Sequence, residues 1–139
     1  MSIKTVVPIA YLGINGLLYL ILAALFVFEP IEWFVKLGIQ LQDPLGYTEL
    51  KTMYVGLMGS MAAFFLLGAW QKSMRLSSVL FAAISYTMLA AVRSYGIFID
   101  ELFDDFTFSL LYAETVSLLL GWLCVYLLLS QNKSAVNGQ

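Results

Sequence analysis

The sequence predicts an all-α fold, a polytopic membrane four-helix bundle with a short interfacial helix between spans one and two. Three observations carry that reading. Apolar residues make up 61% of the chain and charged residues 12%, against about 45–50% and 25% in soluble domains. Mean hydropathy is +0.88, more apolar surface than 139 residues can hide from water, so lipid must cover it. Four runs are each long enough to cross a hydrocarbon core, which takes about 20 apolar residues per helix. The chain is expected to form a single transmembrane domain over 1–139, with spans at about 5–28, 52–71, 76–99 and 106–130.

Run 5–28 carries no charge. It is too long for a signal-peptide core, and no small-x-small cleavage site precedes Glu29-Pro30, so it is expected to be retained as a span. In segment 30–42 the polar residues Glu32, Lys36 and Gln40 recur every four positions, while Ile31, Phe34, Val35, Gly38 and Leu41 occupy another face. Pro30 suits a helix start, so the segment reads as a short amphipathic helix at the interface, with Trp33 as its anchor. An irregular loop over the bundle mouth is the alternative. Asp43-Pro44-Leu45-Gly46 predicts a turn into the second span, 52–71, which is again uncharged. Spans 76–99 and 106–130 are each interrupted by one charge, Arg93 and Glu114. The polar tail 131–139 is expected to fray.

Each span has one small or polar stripe: Tyr11, Asn15 and Tyr19 on the first, and Glu49, Thr52, Gly56, Gly59 and Ala63 on the second. The third carries Ala82, Ala83, Tyr86, Ala90, Arg93 and Gly96, and the fourth Thr107, Glu114, Ser117, Gly121 and Cys124. Lipid tails offer polar groups no partner, so these stripes are expected to face one another, with Asn15 donating a hydrogen bond between helices. A faint echo, Tyr11-x-Gly13-x-x-Gly16 and Tyr54-x-Gly56-x-x-Gly59, fits an inverted repeat or coincidence.

Charge sets orientation. Lys4, Lys72, Arg75 and Lys133 fall on one side, Lys36 and Lys51 on the other with Glu29, Glu32, Asp43, Glu49, Asp100, Glu101, Asp104 and Asp105. The positive-inside rule then makes both termini cytoplasmic in a multi-pass protein of the cell inner membrane. Net charge is -2 and no basic tract occurs, which argues against nucleic acid as partner. There is no His to serve as a base or metal ligand, and one cysteine, Cys124, excludes an internal disulfide. Ser60, Ser85 and Ser117 have no neighbouring base for nucleophilic catalysis. Asp100, Glu101, Asp104 and Asp105 lack the spacing of a calcium loop and read as a solvated turn.

The charges inside the spans are the sharpest signal. A charge in a bilayer core costs roughly 2.5–3.5 kcal/mol on insertion scales. Arg93 lies six residues before Ile99 and Glu114 eight after Phe106, depths of about 9 and 12 Å. At nearly equal depth and opposite sign they should pair, with Glu49 entering from the second span and Tyr54, Tyr86 or Tyr112 supplying hydroxyls. Glu49, Arg93, Glu114, Tyr54 and Tyr86 are therefore the candidate cluster, either ligand-binding or a structural ion pair that fixes helix register.

Thr48-Glu49-Leu50-Lys51-Thr52-Met53-Tyr54-Val55-Gly56-Leu57 resembles the E-L-R-x-x-Y-G-G-L-like stretch of a family of small bacterial integral membrane proteins of unknown function. That family also carries R-x-x-G in span three and a Glu in span four, matched by Arg93-Ser94-Tyr95-Gly96 and Glu114. Lys51 stands where the family has Arg, and Val55 where it has Gly. The resemblance implies a grouping of Glu49, Arg93 and Glu114 and no particular activity. The architecture also resembles DoxX-like four-helix membrane proteins, some linked to redox or quinone systems.

Three functions fit. The first is a non-enzymatic protein that binds a lipid-like or small anionic ligand, or a partner span, near the outer leaflet. The second is an oligomeric transporter or channel element, and the third an intramembrane redox or quinone-associated enzyme. The balance leans against an enzyme: no catalytic residue, metal or cofactor is expected, a quinone or lipid being the groups the cluster could take. Membrane lipids, a second copy of the chain or a partner membrane protein are the expected partners.

Overall fold

The computed structural model describes residues 3–101 and 103–136. Its elements are α1 (Ile3–Phe28), α2 (Pro30–Lys36), α3 (Pro44–Lys51), a π-helical turn (Thr52–Leu57), α4 (Met58–Trp70), a 3-10 turn (Lys72–Met74), α5 (Arg75–Phe98) and α6 (Asp105–Val136). Four helical stretches are long and apolar enough to cross a membrane: Ile3–Phe28, Pro44–Trp70, Lys72–Phe98 and Asp105–Gln131. Around the bundle, α1 packs on α4 and α6, and α5 packs on α6 and α4. The chain therefore winds up and down, with the start of α1 and the end of α6 at one end, where Gln131 donates to Thr5 at 3.3 Å, and α2 at the other.

The core forms where the small residues allow it. Tyr11, Leu12, Ala62, Phe65, Val79, Ala82, Ala83, Tyr86 and Cys124 are buried in one apolar cluster. A Cβ on Gly121 would stand 2.8 Å from the Tyr11 hydroxyl oxygen and 3.1 Å from Ala83 Cα, so α6 approaches α1 and α5 closely only because this position is bare. Along the outside, Ile14, Ile21, Met88, Val92, Leu119 and Leu123 are exposed, as a lipid-covered surface requires.

Helix α2 starts at Pro30, as expected, but ends well before residue 42. Gly38 takes the left-handed conformation (φ 74°). Its N–H donates to the Val35 carbonyl (2.9 Å), and that of Ile39 to the Phe34 carbonyl (2.8 Å), the paired bonds of a Schellman stop. The apolar face divides: Phe34 is 1% exposed, whereas Ile31 and Val35 are 67% and 63% exposed. Phe34 seats α2 on the bundle mouth, with ring centroids 5.1 Å from Phe26 and 5.5 Å from Tyr54.

The second span departs from expectation in two respects. Asp43-Pro44 is a helix start, not a turn: the Asp43 carboxylate accepts the Leu45 N–H at 2.7 Å, and α3 runs on into the span. The stripe expected to face inward does not do so; Glu49, Thr52, Gly56 and Ala63 are exposed, and Ala62, Phe65 and Gly68 are buried instead. The stripe faces outward on both sides of a π turn at Thr52–Leu57. The tail also departs: α6 continues to Val136, and 137–139 lie outside the described residues.

Candidate functional site

Arg93 and Glu114 meet. Arg93 Nε donates to Glu114 Oε2 at 2.8 Å and Nη2 donates to Oε1 at 2.7 Å. This side-on fork uses two of the guanidinium's five donors and fixes its plane. The Arg93 side chain is 26% exposed and that of Glu114 10%, so the carboxylate is sunk between helices while the cation reaches the surface. Helix α5 places Arg93 within two turns of its end, and α6 brings Glu114 to the same level from the other direction.

Arg93 lines a cleft of about 340 Å³ at the α2 end. Its walls include Lys36, Leu37 and Gly38 from the end of α2, Asp104, and Thr107 and Leu110 from the first turns of α6. Lys36 Nζ also lies 4.2 Å from the Trp33 ring centroid, a cation–π contact that steadies it. Asp104 is occupied at the start of α6: its Oδ1 accepts the Thr107 N–H (2.7 Å) and the Thr107 hydroxyl (2.5 Å). The Thr107 hydroxyl, then its N–H, hold the Asp104 carboxyl below the usual carboxylate range. The cleft is thus lined by two basic residues and one ionised acid, and Arg93 is already fixed by a buried partner.

The other candidates are distributed around this pair. Tyr54 packs its ring on Phe26 (4.4 Å) and Phe34 (5.5 Å), at the bundle mouth. Tyr86 is deeper on α5 and joins a separate polar ladder. Its hydroxyl donates to Asn15 Oδ1 at 2.5 Å, Asn15 Nδ2 donates to the Tyr11 carbonyl at 2.7 Å, and the Tyr11 hydroxyl donates to the Ser117 carbonyl at 3.0 Å. Asn15 is therefore the acceptor between helices, and its amide N–H₂ serves its own helix. Glu49 is exposed on α3 and forms no ion pair among the described residues; Tyr112 is 74% exposed. Among the described residues, no set of three or more acids or cysteines gathers as a metal site.

Residues 9–125 match a family described as a domain of unknown function (DUF4345). The chain belongs to that family. No curated protein and no solved structure matches it. In this DUF4345 member, Lys36, Asp104 and Thr107 were not singled out with Arg93 from sequence. Asp104-x-x-Thr107 was readable as a helix cap, but its place beside Lys36 depends on how α2 folds back over the bundle mouth. Sequence spacing carries no such information.

Proposed function

We propose that this protein lies in the inner membrane with both termini in the cytoplasm and binds a small anionic or lipid-like ligand near the outer leaflet, without catalysing a reaction. The single observation behind this reading is the state of Arg93. Glu114 holds Nε and Nη2, Arg93 lines the cleft with Lys36, and the Nη1 donors keep no protein partner among the described residues. A guanidinium fixed on one edge by a carboxylate is well suited to receive a second acceptor on its other edge. The orientation rests on four basic residues at the termini end against two at the α2 end.

Native mass spectrometry with lipid extraction tests the ligand. The wild-type chain should carry a phosphate- or carboxylate-bearing molecule through purification. A double variant, Arg93→Ala with Glu114→Ala, should fold and lose it. A folded double variant that retains the molecule would reduce the pair to a structural clamp. A cytoplasm-dependent reporter after Gln139 should be active, and one that needs the opposite compartment should be active near Asp104; the reverse pattern overturns the orientation.

A further inference from the structure

We infer that the ligand is a single-chain anionic amphiphile whose head occupies the Arg93–Lys36 cleft and whose chain lies in an apolar groove on the other side of α2. This rests on the proposed binding site and names the chemistry it would take. The groove measures about 540 Å³, within the roughly 300–1,000 Å³ of small-molecule sites. Ile31, Phe34, Val35, Ile39, Leu41 and Tyr47 form most of its wall.

Two features tie the groove to the cleft. Val35 is a wall of both, and the next residue, Lys36, carries one of the two cations. The Schellman stop at Gly38 turns the chain away from α2, so that 37–38 border the cleft and 39–44 border the groove. A ligand placed across Val35 meets charge on one side and apolar carbon on the other. That polarity is the polarity of an amphiphile. The surfaces involved are open: Ile31 is 67% exposed, Val35 63% and Leu41 37%. One groove adjoins the cleft, which fits one acyl chain. Asp104 in the cleft wall keeps its charge, with Oδ1 held by Thr107 at the start of α6, so the head is received on the Arg93 side of the cleft.

The test compares two probes on the full-length protein in mild detergent: a long-chain monoacyl phosphatidylglycerol and glycerol 3-phosphate, its head without a chain. Each methylene moved from water into the groove should tighten binding by about fourfold, so the monoacyl lipid should bind at least about tenfold more tightly. Leu41→Asp and Ile31→Asp, both at exposed positions, should each shrink the ratio of the two affinities by about tenfold with an unchanged melting temperature. Equal affinity for the two probes would overturn the chain's place in the groove and leave the anionic site standing. A neutral monoacylglycerol bound as tightly as the charged lipid would overturn the head's place in the cleft. A diacyl lipid bound more tightly than the monoacyl one would overturn the single chain. Binding of neither probe to the folded protein would overturn both this inference and the site it rests on.

Discussion

Helix α5 carries an arginine near each end, and the two are treated in opposite ways. Arg75 and Arg93 are eighteen residues apart, five helical turns and about 27 Å along one face, close to the roughly 30 Å of a hydrocarbon core. Arg75 is the more buried, at 7% exposed, yet no carboxylate among the described residues meets it. Its Nη2 donates to the Ala69 carbonyl at 3.2 Å, and its Nε is buried without a partner among the described residues. The carbonyls at the end of α4, which carry the negative end of that helix's dipole, are its counter-charge. Arg93 is nearer the surface and has a carboxylate of its own. The contrast shows that this bundle can seat a cation against a helix end alone. Adding Glu114 inside a span is a further cost, and what it provides is a fixed orientation for the guanidinium.

That difference can be broken experimentally. The largest effect should come from Arg93→Ala or Glu114→Ala. Each strands a partly buried charge and should cost about 3 kcal/mol, the low end for a broken buried pair because Arg93 remains partly exposed. The double variant should recover part of that loss, giving a clear coupling energy in detergent unfolding. Additive single-variant losses would mean that the charges do not stabilise one another. Next comes Arg75→Ala, which should cost about 1–2 kcal/mol through the lost carbonyl bond and dipole contact, while leaving ligand retention intact. If Arg75→Ala releases the ligand as the Arg93 and Glu114 changes do, the two arginines are not different in kind.

Tyr86→Phe offers an uncharged reference between them. It removes the hydroxyl that Asn15 accepts and should cost about 1 kcal/mol or somewhat more, as Asn15 Oδ1 is left buried without a donor. A loss as large as that for Arg93→Ala would show that the neutral ladder, not the ion pair, dominates this side of the bundle. The smallest effect should be that of acid on the α2 end. The Asp104 carboxyl is held down in the folded protein, so its cap on α6 is complete above the ordinary carboxylate value, near pH 4. It weakens only as pH falls through the lower folded value. Asp104→Asn should remove that acid sensitivity, read as helix α6 fraying by hydrogen exchange at Phe108 and Ser109. Fraying that grows as pH rises would reverse the sign and refute the cap.

What the sequence made legible was mostly depth and periodicity. Counting residues from the short acidic connection brings Arg93 level with Glu114, and the four-residue spacing of Tyr11, Asn15 and Tyr19 marks the buried face of α1. The same arithmetic failed on the second span: spacing puts Glu49, Thr52, Gly56 and Ala63 on one face but does not say whether that face looks to the bundle or away from it, and it looks away. It also gave Asn15 the wrong polarity: which end of an amide crosses to a neighbour depends on the neighbour, here the Tyr86 hydroxyl. Lys36 and Asp104 stayed hidden for a related reason. For Lys36, proximity to Arg93 is created by Phe34 docking on Phe26 and Tyr54; for Asp104, by the α5–α6 connection bringing the start of α6 back beside the end of α5.

The π turn also makes the chain unequally tolerant of changes in length. Thr52–Leu57 holds a wider winding than its neighbours, so losing one residue there can tighten the coil to ordinary pitch and be absorbed locally, with α3 and α4 keeping their faces. Helix α5 has no such slack. One residue removed between Tyr86 and Arg93 would turn the guanidinium about 100° away from Glu114 while Tyr86 stayed on Asn15. Slippage of the chain is thus directed into the second span, and the spacing between Tyr86 and Arg93 acts as the rigid gauge of the molecule.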